Sequence, residues 1–381
     1  MKDWKIVPLE EACKVEYGTR VVQKRDGGSV FPVYGGGGAT FNMDDFNRED
    51  RLVISRFGMS EECTRFVAGK FFLNDSGLTV SPINGALLGR FLDYQMLSLN
   101  DDIYALGKGA AQKNLDVPAF RAIPIVVPSR TSDQQRIVGI LDQAFDGIAI
   151  AKANADKSLQ YARTIFESHL QSIFNKQGNG WNEKPLAALC EASRVITYGV
   201  IKLGDEVPNG VPCLRTSNVR WLRIETKGMK RIAPTLSAEY SRTILKGGEV
   251  LVNVRGTLGG VAVTAPQMAG WNVSREVAVV PIDSKRINPE FVSYLIASGA
   301  SQQWLGGVKK GAAYVGINIE DLRLLPVSAP KMDEQKKLVV HLKAIHEEAK
   351  RLASTYERKF ATLEVLKRSF LRHSFSGTGN L

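Results

Sequence analysis

Two kinds of hydrophobic pattern alternate along the chain. Residues 1–130 and 179–330 carry short apolar runs such as Leu52-Val53-Ile54, Phe71-Phe72-Leu73, Val250-Leu251-Val252 and Val277-Ala278-Val279-Val280, separated by Gly, Asn and Asp. Runs of that length bounded by turn formers predict strands. Residues 133–174 and 332–375 contain no proline and repeat their apolar positions with a helical period. Pro128 and Pro330 stand just ahead of them, and Ser132 and Asp333 are the N-cap candidates.

Both helices carry a seam. Leu338, Leu342, Ile345, Ala349, Leu352, Tyr356, Lys359, Leu363, Leu366 and Phe370 fall at strict 4-3 spacing in the second. Ile137, Leu141, Ala144, Ile148, Ala151, Ala155, Ser158, Ala162, Ile165 and His169 do so in the first. Repeats of this length predict a coiled coil. The first seam is alanine-rich and the second carries Leu, Ile and Tyr, so pairing them within one chain sets small against large. Two copies of the first would leave underfilled layers, at roughly 1–3 kcal/mol each. Either direction of pairing satisfies this, so the seams do not fix orientation. Lys359 is the misfit and is expected to snorkel outward. Phe145, Leu159 and Phe166 lie off the seam, facing either another protein's helices or the chain's own domains. The predicted class is α+β: two mixed, β-rich domains (1–130 and 179–330) separated by two long helices (131–178 and 331–381) that pair as an intramolecular coiled coil.

The chain is also written twice. Trp4, Pro8, Leu9 and Cys13 recur at one offset as Trp181, Pro185, Leu186 and Cys190. Gly58, Asn74 and Ser76 recur as Gly256, Asn272 and Ser274. Lys108 to Pro128 aligns without a gap on Lys310 to Pro330, keeping Lys-Gly-Ala-Ala, Arg121/Arg323, Pro124/Pro326 and Pro128/Pro330. Asp133-Gln134-Gln135-Arg136-Ile137-Val138 then matches Glu334-Gln335-Lys336-Lys337-Leu338-Val339. The shared order makes each half a globular domain followed by a helix. A helix spanning 133–174 is about 60 Å long at 1.5 Å per residue. Two domains on such a rod would suit one to two turns of duplex DNA, at about 34 Å per turn.

Composition narrows the chemistry. At 381 residues and 44% apolar, the chain has core material for two or three domains. No apolar run approaches about 18 residues, which argues against a membrane span, and Met1 to Lys14 lacks the apolar core of a signal peptide. Cys13, Cys63, Cys190 and Cys213 are scattered, which argues against a zinc ribbon or disulfide framework and for a reducing cytoplasm. The net charge of +11 makes nucleic acid or an acidic partner plausible. Basic and acidic residues balance over 1–178, so all of that excess lies in 179–381.

Motifs for catalysis are missing. Asn288-Pro289 is followed by Glu290 rather than the Pro-aromatic of an adenine methyltransferase. Gly69-Lys70 and Gly107-Lys108 lack the rest of a phosphate-binding loop. His169, His341, His346 and His373 all lie on the helices, and His341 and His346 have the wrong spacing for a helical metal pair. No catalytic, cofactor or metal site is predicted. Binding residues are easier to nominate. Tyr34 precedes Gly35 to Gly38, where Gly36 lets backbone approach a ligand, although four glycines also suit a mobile hairpin. Arg215, Ser217, Asn218 and Arg220 surround Trp221; alternation would put Arg215, Ser217, Val219 and Trp221 on one strand face, either base-reading or simply solvated. Lys309 and Lys310, with their counterpart Lys108, are phosphate candidates. Arg56, Lys113 and Arg255 complete the set.

At this point the chain resembles the specificity subunits of type I restriction–modification systems. The likeness covers essentially the whole length. It rests on the double unit and on Pro128 to Val138, repeated as Pro330 to Val339, which is similar to the family's Pro-…-Glu-Gln-x-x-Ile-Val start of each spacer helix. The close of the second helix, Leu366-Lys367-Arg368-Ser369-Phe370-Leu371-…-Phe375-Ser376-Gly377, adds to it. So do Val30-Phe31-Pro32-Val33-Tyr34-Gly35-Gly36 and Val211-Pro212-Cys213-Leu214-Arg215, which look like the openings of target-recognition domains. The first helix departs in starting Asp133-Gln134 and in ending Ile173-Phe174-Asn175 without Ser-Gly. The resemblance implies two target-recognition domains on an antiparallel helical spacer, each reading one half of a split, asymmetric site in double-stranded DNA. It implies two modification subunits as partners, restriction subunits joined through the complex, and no catalysis in the chain itself. S-adenosylmethionine, ATP and Mg would then belong to the partner subunits. Two other readings remain: a self-sufficient modifying enzyme, disfavoured by the absent motifs, and a coiled-coil adaptor without DNA specificity.

Overall fold

The computed structural model describes residues 4–83, 85, 87–175, 180–309 and 316–375. The chain divides into two compact units, Met1–Asp156 with Glu357–Leu381, and Lys157–Tyr356. Two long helices, Thr131–Asn175 and Met332–Phe375, each contribute a stretch to both units. The helices start at Thr131 and Met332, shortly after strands that end at Pro128 and Ala329, so Ser132 and Asp333 lie inside the first turn rather than capping it.

In the first unit the strands are β1 (Trp4–Pro8), β2 (Cys13–Tyr17), β3 (Phe31–Tyr34), β4 (Ala39–Met43), β5 (Arg48–Ser55), β6 (Thr64–Leu73), β7 (Gly77–Pro82), β8 (Gly107–Lys108), β9 (Asn114–Leu115) and β10 (Pro124–Pro128). Six of them form a mixed sheet in the order β2-β7-β5-β6-β3-β4, with β3 and β6 parallel. Strand alternation sorts β5 between two cores. Leu52 and Ile54 enter a cluster with Phe91, Leu92 and Phe120, while Val53 enters one with Phe71 and Leu73. Ile137, Leu141 and Leu371 of the long helices close the larger cluster.

The second unit holds β11 (Asn182–Pro185), β12 (Thr197–Tyr198), β13 (Val211–Leu214), β14 (Val219–Arg220), β15 (Arg223–Ile224), β16 (Lys230–Ile232), β17 (Val250–Asn253), β18 (Val261–Val263), β19 (Asn272–Val273), β20 (Val277–Val280) and β21 (Pro326–Ala329). The sheets run β12-β20-β17-β18 and β16-β13-β19. β17 splits as β5 does: Val250 and Val252 join one cluster and Leu251 another. Phe166, Leu170 and Phe174 pack there with Val339 and Leu342.

Hydrogen bonds fix which residues of the two units are equivalent. Pro8 pairs with Pro124 as Pro185 pairs with Pro326. Arg56 N donates to Ser76 O at 2.8 Å, and Val254 N to Glu276 O at 2.9 Å; Leu115 N reaches Arg56 O, and Ile317 N reaches Val254 O, both at 2.8 Å. Gly58 and Gly256 follow, with φ of +60° and +69°, a region that favours glycine. One match is corrected. Asn74 N donates to Tyr34 O and Ser274 N to Leu214 O, so Asn74 corresponds to Ser274, not Asn272. Asn272 instead faces Cys213 as Phe72 faces Val33. The second unit takes up the difference between Gly256 and β19, where chain length is free to vary.

The helix seams also need correcting. Ile137, Leu141, Ile148, Leu342 and Leu363 are buried, and Leu338, Ile345, Leu352 and Tyr356 are half-buried. Ile165 and Leu366, however, are 48% and 42% exposed. A strict seven-residue repeat slips about 20° per heptad against a straight helix. After Ala162 the buried line therefore passes through Phe166, Leu170 and Phe174. Phe166 stacks on His346 at 4.4 Å and meets the Trp221 ring edge-on at 5.4 Å. Phe145 sits edge-on to Tyr94 at 5.2 Å. Both aromatics serve the chain's own units. Lys359 is exposed, as its place on the seam required.

Candidate nucleic-acid interface

In the first unit, β2 ends at Tyr17 and β5 delivers Arg56 beside it. The Arg56 guanidinium lies 5.0 Å from the centre of the Tyr17 ring and 4.3 Å from that of Phe57. Its Nη1 donates to Asp75 O at 3.1 Å. Both rings are partly exposed, and no carboxylate among the described residues pairs with this arginine. Such a guanidinium is oriented but not neutralised.

The glycine loop borders it. A Cβ on Gly36 would stand 2.2 Å from Phe57 O and one on Gly35 2.2 Å from Ser76 Oγ, whereas Gly37 and Gly38 meet nothing within 4 Å. Half of the loop is therefore packed and half is open. Tyr34 is half-buried; its ring meets Phe71 edge-on at 5.6 Å and packs against a small core, which leaves only part of it outward. The β8–β9 hairpin adjoins through a bridge from Phe57 to Asn114 and a bond from Met59 N to Lys113 O at 2.9 Å. Lys113 Nζ lies 4.0 Å above the Tyr104 ring. Lys108 is paired with Asp116 at 2.5 Å, which partly offsets its charge although the lysine stays largely exposed.

The second unit builds the corresponding place from different residues. Tyr198 pairs with Ala278 where Tyr17 pairs with Leu78. Arg255, equivalent to Phe57, holds its guanidinium 5.6 Å from the Tyr198 ring and bridges to Gly316. It too has no carboxylate partner among the described residues. The segment Arg215–Asn218 is a turn rather than a strand, so the predicted single face with Val219 and Trp221 does not exist. Asn218 is 1% exposed; its Oδ1 accepts from Arg215 N at 3.0 Å and its Nδ2 donates to Glu225 O at 2.9 Å, so it braces the turn instead of offering an amide to a ligand. Trp221 donates through Nε1 to Ala297 O at 3.1 Å. Arg220 lies 3.6 Å from Glu225 and is partly neutralised. Ser217 is exposed at the tip, and Arg215 spends one nitrogen on Gly228 O at 3.1 Å. Asn253 Nδ2 holds the turn from below through Val219 O at 3.0 Å and Thr257 O at 2.9 Å. Lys309 is exposed, and Lys310 lies outside the described residues.

Tyr17 and Tyr198 escaped the sequence reading. Their trace was a repeated Tyr-Gly: a Cβ on Gly18 would lie 2.1 Å from Asn74 O, and one on Gly199 would lie 1.9 Å from Val273 O. Little else in the units is chemically poised. The four cysteines are free and buried; burial pushes Cys13, Cys190 and Cys213 up to about 12 and Cys63 to about 11. No group of three His, Cys, Asp or Glu side chains stands ready for a metal among the described residues, and no helix there is long and apolar enough to cross a membrane.

The sequence profile of the Type I restriction modification DNA specificity domain matches residues 1–160 and again residues 179–354. The chain belongs to this family. Among specificity-domain relatives, the Type I restriction enzyme EcoBI specificity subunit of Escherichia coli is 24% identical over 197 residues, 52% of this chain and 41% of that one. The MjaVIII specificity subunit of Methanocaldococcus jannaschii is 22% identical over 303 residues, 73% of this chain and 69% of that one. The chain thus spans well under half the length of the first of these curated relatives. The fold of a chain from a type I R-M system, solved to address complex assembly and conformational transition, matches with a TM-score of 0.72 at 16% identity over 98% of both chains. The HsdS subunit from Thermoanaerobacter tengcongensis gives 0.52 at 16% identity, covering 98% of this chain and 97% of that one.

Proposed function

We propose that this chain is the DNA-specificity subunit of a type I restriction–modification complex. Residues 1–130 and 179–330 act as target-recognition domains, each reading one half of a bipartite, asymmetric duplex site. The helices of 131–178 and 331–381 act as an intramolecular antiparallel coiled coil that sets half-site separation and docks two modification subunits, with restriction subunits joining through the complex. Contacts inside each unit support the antiparallel sense: Lys152 meets Glu364 and Lys367 lies over Phe145 in one, and Phe166 stacks on His346 in the other. Methyl transfer and ATP-driven cleavage then fall to the partners.

The observation that carries this reading is the recurrence, at one place in both units, of an exposed tyrosine under an un-neutralised arginine. Cations of this kind release counterions when they meet phosphate, which makes affinity salt-dependent. Methylome sequencing of the host with and without the gene tests the reading. Loss of one bipartite methylated motif is expected. An unchanged methylome, with no salt-dependent DNA binding by the chain and its partners, leaves the adaptor reading instead.

A further inference from the structure

We infer that Tyr17 with Arg56, and Tyr198 with Arg255, form a sequence-blind clamp on the DNA sugar–phosphate backbone, while the loops after β3 and β13 do the reading. This rests on the function proposed above.

Two domains that read unlike half-sites cannot tell them apart with features they have in common; a common feature meets what both half-sites share, and the part that every duplex shares is the sugar–phosphate backbone. The shared features are the Tyr-Gly at the end of β2 and β12, and a guanidinium over the tyrosine ring at 5.0 Å and 5.6 Å. The arginines do not occupy equivalent positions: Arg56 corresponds to Val254, and Arg255 to Phe57. The charge reaches the ring from neighbouring positions of the same strand end, so the placement persists although the residue has moved. A planar, weakly hydrated cation held on an aromatic face has fewer conformations to lose when it takes a phosphate oxygen.

The loops after β3 and β13 are the opposite case. Both are supported from the same strand position: Ser55 Oγ donates to Gly36 O, and Asn253 Nδ2, which donates to Val219 O and Thr257 O, lies 3.5 Å from Thr216 O. Above that common anchor the contents diverge completely, Gly35 to Gly38 in one unit and Arg215-Thr216-Ser217-Asn218 in the other. Arg215 Nε has no hydrogen-bond partner within the protein, so the guanidinium is held only through Gly228 O and its hydrogen bonding is incomplete. A fixed base with variable contents is what reading different bases requires.

The test uses the full chain copurified with its modification subunits. Binding to duplexes containing the methylated motif, and to scrambled ones, is measured across salt concentrations, and the motif itself is read from host methylomes. R56A and R255A should weaken binding to both duplexes by the same factor and lower the salt slope by about one each, leaving the motif unchanged. R56K should restore the slope. R215A should relax base preference in one half-site only. A narrowed or altered motif in R56A or R255A, or an unchanged salt slope, overturns the clamp. If R215A leaves both half-sites intact, the reading role of its loop is overturned. A wild-type complex that prefers no bipartite duplex removes the proposed function itself, which is a distinct outcome.

Discussion

Gln134 and Gln335 sit at the same place in the repeat, and burial explains why. Each is almost wholly enclosed in the first turn of a long helix. Gln134 Oε1 accepts from Leu88 N at 2.7 Å and Gln335 Oε1 from Asn288 N at 2.9 Å, in both units at the start of a helix packed on the sheet. The amide therefore ties the long helix to its own unit. Gln335→Leu should strand the Asn288 N–H and lower stability by about 1–2 kcal/mol, read from urea midpoints; an unshifted midpoint would show that the tie is dispensable. Glu249 is a second such residue, accepting from Arg194 Nη1 at 2.9 Å, Lys246 N at 2.7 Å, Gly247 N at 2.9 Å and Thr264 Oγ1 at 2.8 Å. Burial raises its pKa, but these donors together outweigh burial and hold it below the ordinary 4.5. Because the folded value is the lower one, its contribution is complete above the unfolded pKa and disappears as pH falls through the folded value. Glu249→Gln should cost about 3 kcal/mol at neutral pH. Denaturation series should show the gap to wild type closing below about pH 4.

At the scale of elements, the long helices show how a pattern can be right in kind and wrong in phase. The 4-3 spacing correctly announced two extended helices, but it placed Ile165 on the seam and Phe166 off it, with the partner of Phe166 left open. Phe166→Ala should destabilise the protein by about 3–5 kcal/mol. Ile165→Ala should stay within about 0.5 kcal/mol. Thermal melts giving the reverse order would restore the strict seam. His346, the ring stacked on Phe166, is pushed down to about 4 by burial, so it is neutral in the folded helix at physiological pH. It behaves as an aromatic core residue, and this accounts for one of four histidines that had no evident chemistry.

For the molecule as a whole, net charge is a poor map of where DNA would be held. The +11 lies entirely in residues 179–381, yet each unit presents its own un-neutralised arginine. What matters is which cations the protein has already paired. Lys108 with Asp116, and Arg220 with Glu225, have carboxylates at hand; Arg56 and Arg255 do not. Lys108→Ala and Arg220→Ala should leave the salt slope of DNA binding nearly unchanged, since a paired cation displaces few counterions. Charge removal at Lys309 and Lys310 should weaken binding to every sequence and flatten that slope. Equal losses from paired and unpaired cations would refute the distinction.

The sequence by itself determined the duplication, the two helices, the alternating strands and the absence of catalytic motifs. All of these are written in local period or in repeated residue types, which need no knowledge of what lies opposite. Pro8 and Pro124 were legible as residues that recur at Pro185 and Pro326, but that each pair faces across two strands came only from the sheet register. Only the tertiary structure decided which candidates face outward. Asn218 turned inward, and Tyr34 is half-covered by Phe71, because a side chain's direction depends on turn geometry and on neighbours far away in the chain. Tyr17 and Arg56, and likewise Tyr198 and Arg255, are distant in sequence and meet only when the sheet registers bring their strand ends together. The repeat could announce that two similar surfaces exist; long-range packing chose the residues that form them.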